Sequence, residues 1–191
     1  MARQNVPGAR GDLLENYRNY LELLARVEIG RLLQTKLDTA DVVQETFLEA
    51  HRHFDGFRGN TESELVAWLR SIFSAKLSNL VRHYLGTQAR DIRRENALEF
   101  NLDHSSRMLD RGLFTPEGTP SQQVVQREQG VLLAEALAKL PDNYREVIVL
   151  RHLEELTFPE VAQRLERTEN SVQKIWVRAL AKLRQLMGAS E

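Results

Sequence analysis

The apolar positions of this chain fall on helical stripes from end to end, and no run of alternating apolar and polar residues reads as a strand. Leu13, Tyr17, Tyr20, Leu24 and Val27 step by four, three, four and three, which predicts a helix from about Asp12 into the mid-thirties. Val43, Phe47, Ala50 and Phe54 form the inward stripe of a second helix, with Asp38 or Thr39 as its cap. The run Asp55-Gly56-Phe57-Arg58-Gly59-Asn60-Thr61, with its glycines and asparagine, breaks that helix. Leu65, Leu69, Phe73, Leu77, Leu80 and Tyr84 line a third. From Gly86 to about Gln123 the pattern dissolves among glycines, prolines and polar residues, which predicts a linker of about 35 residues, too long for an ordinary loop. Val124, Val131, Leu132, Ala136, Leu137 and Leu140 predict a fourth helix. Leu140-Pro141-Asp142 ends it, and Asp142 caps a fifth carrying Val147, Ile148 and Leu150.

Residues 156–187 read as a helix-turn-helix. Thr157-Phe158-Pro159-Glu160 is a capping box, and Pro159 is tolerated there because first-turn N–H groups lack intrahelical partners. Val161, Ala162 and Leu165 face inward, Thr168 caps the next helix, and Glu166-Arg167 makes the turn without glycine. In the second helix Val172, Trp176, Ala179, Leu183 and Leu186 form the buried stripe, opposite Gln173, Lys174, Val177, Arg178 and Lys182. Between Val172 and Met187 stand four Lys/Arg and no Asp or Glu, a sign imbalance that points to a polyanion. A plain αα-hairpin would explain the apolar spacing but not the charge. The expected fold class is all-α: two small helical domains joined by a long flexible linker, the C-terminal domain a helix-turn-helix. The boundaries are a tail at 1–11, a helical domain at 12–93, a linker at 94–122 and a second helical domain at 123–188.

Composition changes this picture only through the distribution of charge. The chain has 191 residues with 26 Lys+Arg against 27 Asp+Glu, so no global polyanion affinity follows. Asp38 to Glu49 holds four acids and no Lys or Arg, whereas Leu65 to Arg94 holds six Lys/Arg against Asp91 alone. Sorted charge suggests different partners for different faces, although a solvated acidic face alone would also account for the first run. The absence of cysteine excludes disulfides and thiolate metal sites and fits a reducing cytosol. No apolar run approaches the roughly 20 residues that cross a bilayer, and the N-terminus is no signal peptide, so a cytoplasmic protein without membrane insertion is expected. Glu45, Glu49 and His53 invite a metal-site reading, but no second Glu-x-x-His completes a bundle site. His83, His104 and His152 have no partner motif. No enzyme, metal or cofactor is expected.

Three ordered segments carry a resemblance: Asp41-Val42-Val43-Gln44-Glu45-Thr46-Phe47; Phe57-Arg58-Gly59 followed by Ala67-Trp68-Leu69; and Leu140-Pro141 leading to the helix-turn-helix ending Arg178-Ala179-Leu180. Over nearly all of the chain after Gly11 it resembles the extracytoplasmic-function (ECF) group of the sigma-70 family of RNA polymerase sigma factors. The resemblance implies a protein that directs core polymerase to specific promoters and helps open the DNA. Asp41, Gln44, Glu45 and Leu48, one helix face, would grip a coiled coil of the largest core subunit. Phe57, Arg58 and Asn60 would capture an extruded base of the start-proximal element, with Lys76, Asn79, Arg82 and His83 tracking the backbone. Trp68 neighbours the core stripe and reads as packing more than base stacking. At the upstream element Gln173, Lys174, Val177 and Arg178 would meet base edges and phosphates in the major groove. Arg167, Asn170, Ser171 and Lys182 would hold phosphates. The linker would thread through the polymerase.

The resemblance also implies an anti-sigma partner, which could hold the protein near the membrane. Glu155 and Glu166 stand where the family often has glycine, and Ile175 where a basic residue is frequent, which implies an upstream sequence unlike the commonest one. The rival reading, a helix-turn-helix regulator binding duplex DNA as a dimer, leaves the acidic helix, the 57–61 loop and the linker unexplained.

Overall fold

In a computed structural model of the protein, residues 9–32, 38–85 and 122–188 are described, and among them every regular element is helical. The first half holds α1 (Ala9–Glu15), α2 (Arg18–Leu32), α3 (Thr39–His53), a 3-10 turn (Phe54–Gly56) and α4 (Glu62–Leu85). The second half holds α5 (Gln122–Ala138), α6 (Asp142–Ile148) running into a π turn (Val149–Leu153), α7 (Phe158–Arg164) and α8 (Glu169–Gly188). The expected linker at 94–122 lies outside the described residues except for Gln122, which opens α5, and so does the stretch into the mid-thirties.

The first expected helix is two. It begins at Ala9, within what the sequence reads as a tail, and breaks after Glu15. The stripe survives the break because Tyr17 N–H donates to Leu14 O at 3.0 Å and Leu21 N–H to Tyr17 O at 3.0 Å. Tyr17, Tyr20, Leu24 and Val27 are buried against Val42, Val43 and Ala50 of α3 and Leu65, Leu69, Phe73 and Leu77 of α4. Asp38 caps α3 by accepting from Ala40 N–H at 2.9 Å.

Two details of the second half depart from expectation. Asp142 is the first residue of α6 rather than its cap; Pro141 takes the cap position, and Asp142 pairs with Arg145 at 3.0 Å. Leu132 is 45% exposed whereas Leu133 is fully buried. The reason is that α5 packs on both sides, against α2 and α4 of the first half and against α8 of the second. Apolar residues therefore ring this helix, and no single stripe marks its inner face. The two halves consequently share one continuous apolar core, with Arg26 of α2 3.4 Å from Glu146 of α6 at its edge.

Helix α6 separates that core from a smaller one. Ile148, Val149 and Leu153 face the large core, while Val147 and Leu150 join Val161, Ala162 and Val172 in the small one. The helix-turn-helix is built on this second cluster. Glu160 accepts from the Thr157 N–H at 2.7 Å and from its hydroxyl at 2.6 Å, closing the α7 capping box. The glycine-free turns are made by left-handed glutamates, Glu155 at φ 59° and Glu166 at φ 52°. Both sit where a helix ends. Arg167 N–H returns to Ala162 O at 2.9 Å beyond Glu166, and Leu156 N–H returns to Leu150 O at 3.0 Å beyond Glu155, one residue longer because of the π turn.

Candidate polymerase and DNA interfaces

Asp41, Gln44, Glu45 and Leu48 are all exposed on one face of α3, with Leu48 52% exposed. The opposite face buries Val42, Val43, Thr46 and Ala50, so the helix is committed on one side and open on the other. Among the described residues neither Asp41 nor Glu45 has an ion-pair partner. The fourth acid differs. Glu49 accepts from Lys76 of α4 at 2.8 Å and meets His53 at 2.9 Å and Arg52 at 3.5 Å, and the Lys76 hydrogen bond foremost holds its carboxyl below the usual range. Lys76, expected to track DNA, is thus engaged within the fold, half-buried across the α3–α4 contact. The Glu49–His53 pair belongs to this network. Among the described residues no cluster of three or more His, Cys, Asp or Glu could hold a metal ion.

The loop between α3 and α4 is built rather than loose. Phe57 lies against Trp68 with ring centroids 5.0 Å apart, and Phe54 meets Trp68 edge-on at 5.9 Å. Trp68 is therefore part of a packed aromatic cluster, as its place beside the core stripe suggests, and Phe57 is half-buried with it. Arg58 and Asn60 project into solvent. One carboxylate oxygen of Glu64 accepts from Asn60 N–H (2.8 Å), Thr61 N–H (3.0 Å) and the Thr61 hydroxyl (2.9 Å), and its carboxyl is held low by the two backbone donors. Gly59 has no room for a side chain: a Cβ would run into the Phe57 ring and lie 2.9 Å from Glu64 Cβ. Glu64 is absent from the sequence-based residue set although Thr61-x-x-Glu64 is a second capping box in plain view. Asn79 is exposed on α4; Arg82 and His83 lie on its last turns, with side chains outside the described residues.

On α8 the expected division holds. Val172, Ala179 and Leu183 are buried, Trp176 and Leu186 partly so, and Gln173, Lys174, Val177, Arg178 and Lys182 are exposed, Val177 by 58%. Thr168 caps the helix through its hydroxyl, which accepts from Ser171 N–H at 3.3 Å. Arg167 and Asn170 are exposed beside this end, and Ser171 is half-exposed. Gln173 donates through its amide to Glu169 at 2.9 Å, one turn earlier. Ile175 packs on the small core, so its departure from a basic residue has a structural use.

A helix-turn-helix whose second helix carries four Lys/Arg and no acid from Val172 to Met187, together with an acidic ridge in the first half, accords with family models that match both parts. Residues 17–90 match Sigma-70 region 2, and residues 131–183 match Sigma-70, region 4. The chain belongs to the sigma-70 family. Among curated relatives, the ECF RNA polymerase sigma-E factor of Haemophilus influenzae is 30% identical over 131 residues, covering 66% of this chain and 62% of that protein. The factor of the same name from Escherichia coli (strain K12) is 29% identical over 125 residues, covering 65% of this chain and 61% of the relative. This sigma-70 chain falls with their ECF group, and it spans less than two thirds of the length of either relative. A solved structure, CnrH in complex with the cytosolic domain of CnrY, is similar at 24% identity and a TM-score of 0.34, covering 98% of this chain and 92% of that one, a likeness too loose to place any residue. No helix among the described residues is long and apolar enough to cross a membrane.

Proposed function

We propose that this chain is a promoter-specificity subunit: it binds RNA polymerase core, directs it to particular start sites and helps open the DNA there. The observation that carries this reading is the pairing of two oppositely charged, exposed surfaces on one helical scaffold. Asp41, Gln44, Glu45 and Leu48 offer an acidic ridge with an apolar member, suited to a coiled coil of the largest core subunit. Gln173, Lys174, Val177 and Arg178 offer a groove-reading set: amide for adenine, cations for guanine or phosphate, methyl groups for thymine. Arg167, Asn170, Ser171 and Lys182 surround it as phosphate contacts.

Between them the braced 57–61 loop suits capture of a single-stranded base. Unstacking costs a few kcal/mol, and a loop that is already ordered pays no further ordering entropy on binding. Phe57 would offer its ring edge while packed on Trp68, and Arg58, Asn60 and Asn79 would meet the strand. Arg82 extends this row, and Lys76 would join only by exchanging Glu49 for a phosphate. Such a subunit acts in the cytoplasm, where polymerase is, and an anti-sigma partner covering these faces would restrain it, near the membrane if that partner is anchored there. The test is transcription in vitro on a genomic fragment library with purified core. Initiation at a discrete set of sites sharing two spaced elements is expected; no chain-dependent initiation at any site would refute the proposal.

A further inference from the structure

Trp176, on the inner side of the groove-reading helix, is held by a polar contact. Its indole N–H donates to His152 Nε2 at 2.9 Å, with the two ring planes 17° apart. Phe158 of α7 meets the indole edge-on at 5.4 Å between centroids, and the Arg151 guanidinium caps Phe158 at 5.2 Å. One residue of each element of the helix-turn-helix support thus meets at Trp176: the π turn, α7 and α8. A partly buried indole N–H left without an acceptor is costly, so this bond selects one orientation of the indole where apolar packing alone would tolerate several.

We infer that His152 is a positioning residue for promoter reading: through Trp176 it fixes the rotation of α8 about its own axis, and so the aim of Gln173, Lys174 and Arg178. The inference rests on the reading that α8 enters the major groove. Gln173 lies three residues before Trp176 and Val177 directly after it, so they turn with it. With side chains about 5–6 Å from the axis, a rotation of about 10° moves them about 1 Å. That exceeds the tolerance of about 0.5 Å within which a built recognition set works.

The latch needs neutral histidine, with Nδ1 carrying the proton and Nε2 accepting. Burial, and secondarily the charge of Arg151 on the same segment, lowers the His152 pKa; α8 faces the imidazole with the ring of Trp176, and Phe158 of α7 packs on that indole. A lowered folded pKa means the contact is intact above the ordinary histidine range and is lost as pH falls through the depressed value. Protonation turns Nε2 into a donor facing a donor.

Two measurements test this on the full chain. The sequence has two tryptophans, so Trp68→Phe leaves Trp176 as the sole tryptophan, excited at wavelengths that tyrosine does not absorb. Its emission should titrate with a midpoint below the ordinary histidine value, and His152→Leu should abolish that titration. Second, holoenzyme made with unsubstituted chain, His152→Leu or His152→Gln is assayed on promoters randomised in the upstream element. His152→Leu should flatten base preference about tenfold at the positions read by α8, and His152→Gln, whose amide oxygen can accept, should restore most of it. Intact preference in His152→Leu, with or without a uniform drop in promoter use, would overturn this inference alone. No upstream preference in the unsubstituted holoenzyme would overturn both it and the reading of α8.

Discussion

Replacing Glu155 by glycine should stabilise this chain, while the same replacement one residue earlier, at Glu154, should destabilise it. Glu155 sits at φ 59°, in the left-handed region, where Cβ crowds the following carbonyl oxygen at a cost of about 1–2 kcal/mol. Glycine removes that crowding but adds freedom to the unfolded chain worth about 0.4–1 kcal/mol. The difference is a gain of about 0.5–1 kcal/mol. Glu154, at φ −91° and ψ −5°, has no such strain to release, so only the entropic loss of about 0.4–1 kcal/mol remains. Both substitutions remove one negative charge from the same turn, so a general charge effect cannot produce opposite signs. A chain of this size shifts by about 2–4 °C per kcal/mol, so the two variants should melt several degrees apart, with Glu155→Gly the higher. Thermal melts by circular dichroism and denaturant midpoints at constant slope would measure it. Glu166→Gly, at φ 52°, should behave like Glu155→Gly. If Glu154→Gly and Glu155→Gly move the midpoint the same way, the strain argument is wrong.

Other outcomes follow from the interfaces. Glu45→Lys, on an exposed and unpaired position, should weaken core association about tenfold or more by setting like charges against the partner, and leave thermal stability nearly unchanged; unaltered core affinity in a binding titration would remove α3 from that interface. Arg178→Ala should cost about 1–3 kcal/mol of discrimination between matched and mismatched upstream elements while helical circular dichroism stays the same; equal losses on every sequence would make it a phosphate contact instead. Glu64→Ala should slow promoter opening, read by permanganate reactivity of unpaired thymines, with core affinity intact, and Glu64→Gln should fall between; normal opening in Glu64→Ala would show that the loop needs no brace.

How much of this was readable from the chain depended on whether burial was one-sided. In α3, α4 and α8 one face is covered and the other wet, and there the spacing of apolar residues names most of the buried positions. In α3 it omits Val42 and Thr46, both buried, and includes Phe47 and Phe54, which are half-buried. It fails in α5, where packing on both sides puts Leu133 inside and Leu132 out, a choice no periodicity records. Short-range polar contacts are legible in the chain: Thr157 with Glu160 and Thr61 with Glu64 show the same capping-box spacing, the second of them overshadowed by the aromatic residues beside it. Contacts between distant positions are not. Lys76 finds Glu49 and His152 finds Trp176 only after the helices pack, so a lysine that looks available for DNA proves occupied and a histidine without a motif proves engaged. The family resemblance supplied the interfaces, and Glu155 and Glu166, noted first as departures from glycine, turn out to hold the backbone shape that glycine would.

The two surfaces proposed to meet DNA therefore differ in kind. On α8, Lys174 and Arg178 have no carboxylate partner among the described residues, so their charge is fully available to phosphates. Each phosphate contact releases counterions and adds roughly 0.9 to the salt slope of duplex binding. Around the 57–61 loop, Lys76 is already spent on Glu49, and what remains among the described side chains is Arg58, two exposed asparagines and a pair of packed rings, with Arg82 farther along α4. Recognition there draws on shape held in advance by Glu64 and Gly59 more than on charge. Upstream binding should accordingly weaken steeply with salt while base capture, once polymerase has delivered the strand, should weaken little. A promoter-opening step as salt-sensitive as the initial duplex contact would mean that the start-proximal surface is electrostatic after all, with Lys76 released from Glu49 to serve it.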